Sequence, residues 1–172
     1  MGYGKFGLKL LGTHILMNLV EFFLVFLLFS IFPDSQLYQW FIGIVFILIF
    51  WFVIYADSSY YGQNDLKRGT FSPAKGFISG LIAALPGLLL YVIMILTKAG
   101  WLEVVLRTWL IPYIKLIVAF EKIMPEITIL FILFFPLVSG FSYLDGIRRR
   151  KKVLEAIEKK ESMRKQLSKR NS

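Results

Sequence analysis

Three polar side chains stand where chemistry is least expected. Residues 13–23 read T-H-I-L-M-N-L-V-E-F-F and set His14, Asn18 and Glu21 inside an otherwise apolar run. Steps of four and three residues return to one face of a helix. At about 1.5 Å per residue, His14 and Glu21 lie roughly 10 Å apart along the axis, with Asn18 between them. Such a face suits a proton or cation path in which Glu21 changes protonation with conformation. It also suits hydrogen bonding to neighbouring helices, within one bundle or between subunits. A carboxyl group at mid-bilayer costs on the order of 2.5–3.5 kcal/mol on insertion scales, so Glu21 is expected to face protein or water rather than lipid.

Composition removes other chemistries. The chain has no Cys and one His, which excludes disulfides, thiol catalysis and any metal site built from several histidines. No metal or cofactor is expected. Asp57 and Asp65, with Lys67 and Arg68, are the residues from which a metal-assisted reaction at a lipid phosphate would be assembled, but no aspartate-rich motif accompanies them. The expected role is noncatalytic.

The elements that hold these residues are membrane helices. Over 172 residues the chain is 57% hydrophobic and contains 17 Phe, 8 Tyr and 4 Trp. The fold class is an all-α integral membrane protein of four transmembrane helices, with spans at about 10–32, 40–56, 76–96 and 126–144. The first run is too long for a cleaved signal peptide and is expected to remain as an anchor. The stretch 57–75 reads as a polar loop, with Asn64-Asp65, Arg68-Gly69 and Ser72-Pro73 as turn signals. The third span carries Gly76-x-x-x-Gly80-x-x-x-Ala84 and, on an adjacent line, Ser79-x-x-x-Ala83-x-x-x-Gly87; small residues at that spacing make Gly76, Gly80, Ala84 and Gly87 a close-packing face. Segment 101–120 is apolar yet holds Glu103, Arg107, Lys115 and Pro112, and reads as an amphipathic outer segment that lies at the surface or re-enters partway.

Tyr55-Ala56-Asp57 and Tyr143-Leu144-Asp145 end the second and fourth spans alike, which would fit a duplicated hairpin, although three matched positions fit coincidence better. Residues 1–146 form the membrane domain and 147–172 a basic tail helix with an apolar line of Val153, Ile157 and Leu167. Net charge is +9, concentrated so that 145–172 holds 11 Lys or Arg against four acids. Lys and Arg on the N-terminal arm, the 57–75 loop and the tail place both termini in the cytoplasm. The cluster Arg148, Arg149, Arg150, Lys151 and Lys152 stands beside a span, so anionic lipid headgroups or a docking protein, rather than nucleic acid, are its expected partners. The function expected is that of a small noncatalytic subunit or accessory scaffold of a larger assembly in the bacterial plasma membrane, through a protein partner or self-association. The competing expectation is a homo-oligomeric channel or proton- or cation-coupled transporter using the His14, Asn18 and Glu21 face.

Overall fold

The computed structural model describes residues 2–121, 123–124 and 126–170, with the side chains of 167–170 left out, so Leu167 of the apolar tail line lies outside the described side chains. It is all-helical among these residues, and four helices are long and apolar enough to cross a membrane. They are α1 (Tyr3–Phe29), α2 (Gln36–Lys67), α3 (Lys75–Thr97) and, after two short helices, α6 (Ile127–Arg170). The short pair are α4 (Gly100–Trp109) and α5 (Ile114–Phe120), joined by a 3-10 turn at Ile111–Tyr113.

Local chemistry sets the boundaries. The Ser35 hydroxyl accepts the Tyr38 N–H at 3.3 Å and starts α2. At the other end Gly69 takes a left-handed backbone, φ 68°, which stops the helix at no steric cost. Lys98 ends α3 in the same conformation, φ 52°, where a Cβ makes it dearer.

The expected loop at 57–75 is mostly helix. Helix α2 runs to Lys67, so Asn64 and Asp65 sit in its last turns and the turn proper is confined to 68–74. Ser58, Gly62 and Asp65 are buried at steps of four and three, a helical face made of small and polar residues. A hydropathy pattern cannot register such a face. In the same way Asp145-Gly146 lies inside α6, with Gly146 against α2.

That contact is one of backbone on backbone. A Cβ on Gly62 would run into the Tyr143 carbonyl, and one on Gly146 into the Ser59 carbonyl, so the backbones of α2 and α6 touch directly. Helix α3 approaches α6 through Gly76 and Gly80, and the Ser139 hydroxyl donates to the Gly76 carbonyl at 2.9 Å. Ser79 and Ile82 of α3 face α1: Gly7 packs on Ile82, and the Ser79 hydroxyl donates to the Tyr3 carbonyl at 3.0 Å. Phe6, Leu10, Phe50, Ile54 and Tyr143 fill the space between.

Alanine substitution distinguishes the close approach from ordinary helix content. Gly62→Ala is expected to lower stability by about 1–3 kcal/mol, because its methyl meets backbone that cannot rotate away. Gly12→Ala, where nothing lies within 4 Å, is expected to be neutral or stabilising by up to about 1 kcal/mol. Reversible unfolding in bicelles compares the two.

Candidate functional site

Segment 101–120 packs against the four long helices. It is a bent helical hairpin whose tip is inserted among α1, α2, α3 and α6, burying Leu102, Leu106, Leu110, Tyr113 and Ile117. The tip reaches the middle of its neighbours: Trp109 meets His14 and Gly87, and Tyr113 meets Phe50, Trp51 and Phe131. Pro112 causes the bend. It has no N–H for the Thr108 carbonyl, and the next N–H, that of Tyr113, turns to Leu110 at 2.9 Å in 3-10 fashion. The Trp109 carbonyl therefore loses its helical donor in an apolar interior.

The polar face of α1 supplies the replacement. His14 Nε2 lies 3.1 Å and Asn18 Nδ2 2.7 Å from the Trp109 carbonyl oxygen, one donor for each lone pair. A carbonyl can only accept, so Nε2 is the protonated nitrogen of His14. The imidazole is fixed by aromatic neighbours on three sides. It stacks on Trp109 with centroids 4.6 Å apart, and it meets Phe50 at 5.2 Å and Phe135 at 5.3 Å edge-on. Opposite, Trp51 Nε1 donates to the Tyr113 hydroxyl at 2.6 Å, so both residues flanking the break are tied to spans.

Glu21 stands three residues beyond Asn18 on the same face. It is 1% exposed, against 4% for His14 and 8% for Asn18. All three side chains are buried within the chain itself. Both Glu21 carboxylate oxygens and the Asn18 Oδ1 lack a hydrogen-bond partner among the described residues.

The hairpin's outer half is closed by charge. Arg107 donates to Glu103 at 2.6 Å and to Glu121 at 2.7 Å, tying α4 to the end of α5. Lys115 reaches Gln39 at 2.8 Å and Gln36 at 3.3 Å at the start of α2, its stem lying over Gly43. A cleft of about 590 Å³ opens beside these groups, with Leu106, Leu110 and Ile117 in its wall and Lys98, Glu103 and Glu121 among its polar lining.

The end of the bundle that holds the N-terminus carries a second polar assembly. Lys75 and Asp65 form an ion pair of 2.6 Å with side chains only 4% and 3% exposed; the Tyr143 hydroxyl donates to Asp65 at 2.9 Å and that of Thr70 at 3.2 Å. One carboxylate thus joins α2, α3 and α6. Asp57 takes Thr13 at 2.8 Å and Lys9 at 3.3 Å instead, joining α1 to α2. Eight residues of helix separate the two aspartates by about 12 Å, and each is turned to a different neighbour, so they do not converge on a phosphate.

The matched Tyr-x-Asp pairs also diverge. Tyr55 donates to Asp145 on α6, whereas Tyr143 donates to Asp65 on α2 and Asp57 faces α1. Equivalent positions have unlike partners, which is not the pattern of a duplicated hairpin.

The remaining singled-out residues separate by place. Gly76 and Gly80 lie on α6, Gly87 lies under the Trp109 indole at 2.7 Å for an added Cβ, and Ala84 is buried beside Trp109 and Tyr113. Arg149 turns back to Asp145 at 2.7 Å and over the Tyr55 ring, and Lys151 lies over the Phe71 ring. Arg148 and Lys152 are exposed and Arg150 half-buried. The Asp65, Lys75 and Tyr143 cluster is the one that pattern reading missed. Its only advance sign was a lone Asp and Lys flanking a tight turn.

The chain matches no protein-family model, no curated protein and no solved structure.

Two variant sets test these joints by reversible unfolding in bicelles. Because His14 and Asn18 share one acceptor, His14→Phe and Asn18→Leu alone are each expected to cost about 0.6–1.7 kcal/mol. The double variant is expected to cost more than their sum, because only then is the buried carbonyl orphaned; strict additivity would contradict a shared cap. For the ion pair, Asp65→Asn or Lys75→Met alone is expected to cost about 3–5 kcal/mol, and Asp65→Leu with Lys75→Met together less than either.

Proposed function

We propose that this chain is a noncatalytic accessory or scaffold protein of a larger bacterial plasma-membrane assembly. In this reading both termini are cytoplasmic, α4 and α5 form a hairpin re-entering from the outer side, and the far half of α6 is offered to a second protein. The observation that carries the reading is the length of α6. It is one helix of 44 residues, about 66 Å long. Its first part packs in the bundle, while every described side chain from 151–166 is exposed.

An isolated helix of this size is marginal in water. Continuity with the packed half of α6 holds it in register, so a partner meets a helix already formed and loses less to ordering. Val153, Leu154 and Ile157 are exposed near one side of it and give that partner an apolar strip. Arg148, Arg150 and Lys152 stand at the exit from the bundle, suited to anionic headgroups, which would hold the post upright on the inner leaflet.

Support for this reading over a pore comes from the polar face of α1. Two of its three members are spent on the Trp109 carbonyl. The outer cleft beside Arg107 and the groove of about 520 Å³ beside Tyr55 and Arg148 share no lining residue.

The test is site-specific photocrosslinking in membranes of the native host. A crosslinker at Val153 or Ile157 is expected to yield one discrete adduct with a second polypeptide. The same group at Glu155 or Lys159, rotated to other faces, is expected to yield little, and Leu154→Asp should abolish the adduct. Equal labelling from all four positions, or adducts with lipid alone, would count against a docking helix.

A further inference from the structure

The cap on Trp109 accounts for both donors of α1 but leaves three acceptors over. Glu21 Oε1 and Oε2 and Asn18 Oδ1 are buried, one helical turn apart, and without a partner among the described residues. The surroundings offer them little. Over 42–54 of α2 and 127–142 of α6 there is no charged or titratable side chain, and over 76–97 of α3 only Tyr91. On α1 itself the nearest titratable group is His14, whose Nε2 is committed to Trp109. From the hairpin come Glu103, Arg107, Tyr113 and Lys115. Arg107 is divided between Glu103 and Glu121, Lys115 is held by Gln36 and Gln39, and the Tyr113 hydroxyl, which accepts from Trp51, makes no hydrogen bond to either Glu21 oxygen.

The backbone at the tip contributes both a helix C-terminus, that of α4, and a helix N-terminus, that of α5, and so supplies no net positive charge. Thr108, whose carbonyl cannot receive a proton from Pro112, lines the same cavity as Asn18. Mid-bundle therefore collects a carboxylate and an amide oxygen with no cation paired to them among the described residues. An unpaired buried carboxylate is among the most expensive groups a protein can hold.

We propose that Glu21 and Asn18 form a binding site for one monovalent cation, a sodium ion or a proton, at the tip of the hairpin. A single positive charge neutralises the site, whereas a divalent ion would leave an excess charge in apolar surroundings. A proton on Glu21 supplies an O–H for Asn18 Oδ1. A sodium ion takes both carboxylate oxygens and Oδ1 as hard oxygen ligands. Either way the cation holds Asn18 in the orientation that gives its Nδ2 to Trp109, so occupancy and closure of the hairpin rise together. The site belongs to the chain itself and is independent of the scaffold reading.

The test is thermal unfolding of the purified full chain in detergent at constant ionic strength. Sodium chloride is exchanged for potassium or N-methylglucamine chloride from mildly acidic to mildly alkaline pH, with Glu21→Gln in parallel. If sodium is the ligand, a hundredfold excess over its Kd raises Tm by roughly 5–10 °C in the wild type and not in Glu21→Gln. If the ligand is a proton, the folded state holds a proton that the unfolded chain releases. Tm then falls as pH rises whatever the salt, the fall is smaller in Glu21→Gln, and the wild type shows a carboxylic-acid C=O infrared band that the variant lacks. Identical salt and pH dependence in the two proteins overturns the site. Should the variant not fold, an ionised Glu21 in the wild-type infrared spectrum together with sodium-independent melting overturns it equally.

Discussion

The architecture depends on one carbonyl oxygen. A chain that bends back halfway through an apolar bundle must break its helical hydrogen bonds there, and no water is available to replace them. Pro112 makes the break and so exposes the Trp109 carbonyl; His14 and Asn18 close it from another helix, 91–95 residues away in sequence. Without those donors the hairpin tip would carry an unpaired polar group in its most buried position, at a cost of roughly 1–3 kcal/mol. With them, the tip becomes a fixed point from which Leu106, Leu110, Tyr113 and Ile117 fill the space between the spans. The membrane-embedded half of the protein is organised by this cap rather than by apolar packing, which lipid tails would satisfy as well.

The opposite end is organised differently. There the backbones touch at Gly62 and Gly146, and nearby the Asp65, Lys75 and Tyr143 side chains meet almost wholly buried. A buried ion pair adds little net stability over an apolar substitute, but it is intolerant of misregister, because a slip leaves a bare charge. The pair fixes how α2, α3 and α6 meet just where the chain turns between α2 and α3. The short turn is thus the consequence of the ion pair as much as of Gly69, whose left-handed backbone permits it.

The division between legible and illegible in the sequence follows physical lines. Four helices long and apolar enough to cross a membrane were readable, because lipid imposes length and hydropathy directly on each segment. The face carrying His14, Asn18 and Glu21 was readable too, because spacing along one helix needs no knowledge of neighbours. Its partner was not: a main-chain carbonyl has no sequence signature, and neither hairpin depth nor capping appears in a hydropathy trace. The extension of α2 to Lys67 escaped for a related reason, since its buried side is Ser58, Gly62 and Asp65. The repeated Tyr-x-Asp is a match of residues without a match of environment, as chance repetition allows, since Tyr55 and Tyr143 reach different aspartates.

A polar residue inside a span is ordinarily taken as a functional group in waiting. This chain separates two cases within a single face. His14 and Asn18 are accounted for by a break elsewhere in the chain: an apolar segment too short to cross twice, interrupted by Pro112, creates a demand for donors, and these two residues meet it. Glu21 cannot be explained that way, since it brings two buried acceptors that no donor among the described residues meets. Donors on a face opposite a broken helix answer its free carbonyl; an acid there adds acceptors that no described residue meets. A residue that aggravates the imbalance its neighbours repair is the one for which structure offers no internal reason, and that asymmetry, rather than mere polarity, is what marks Glu21.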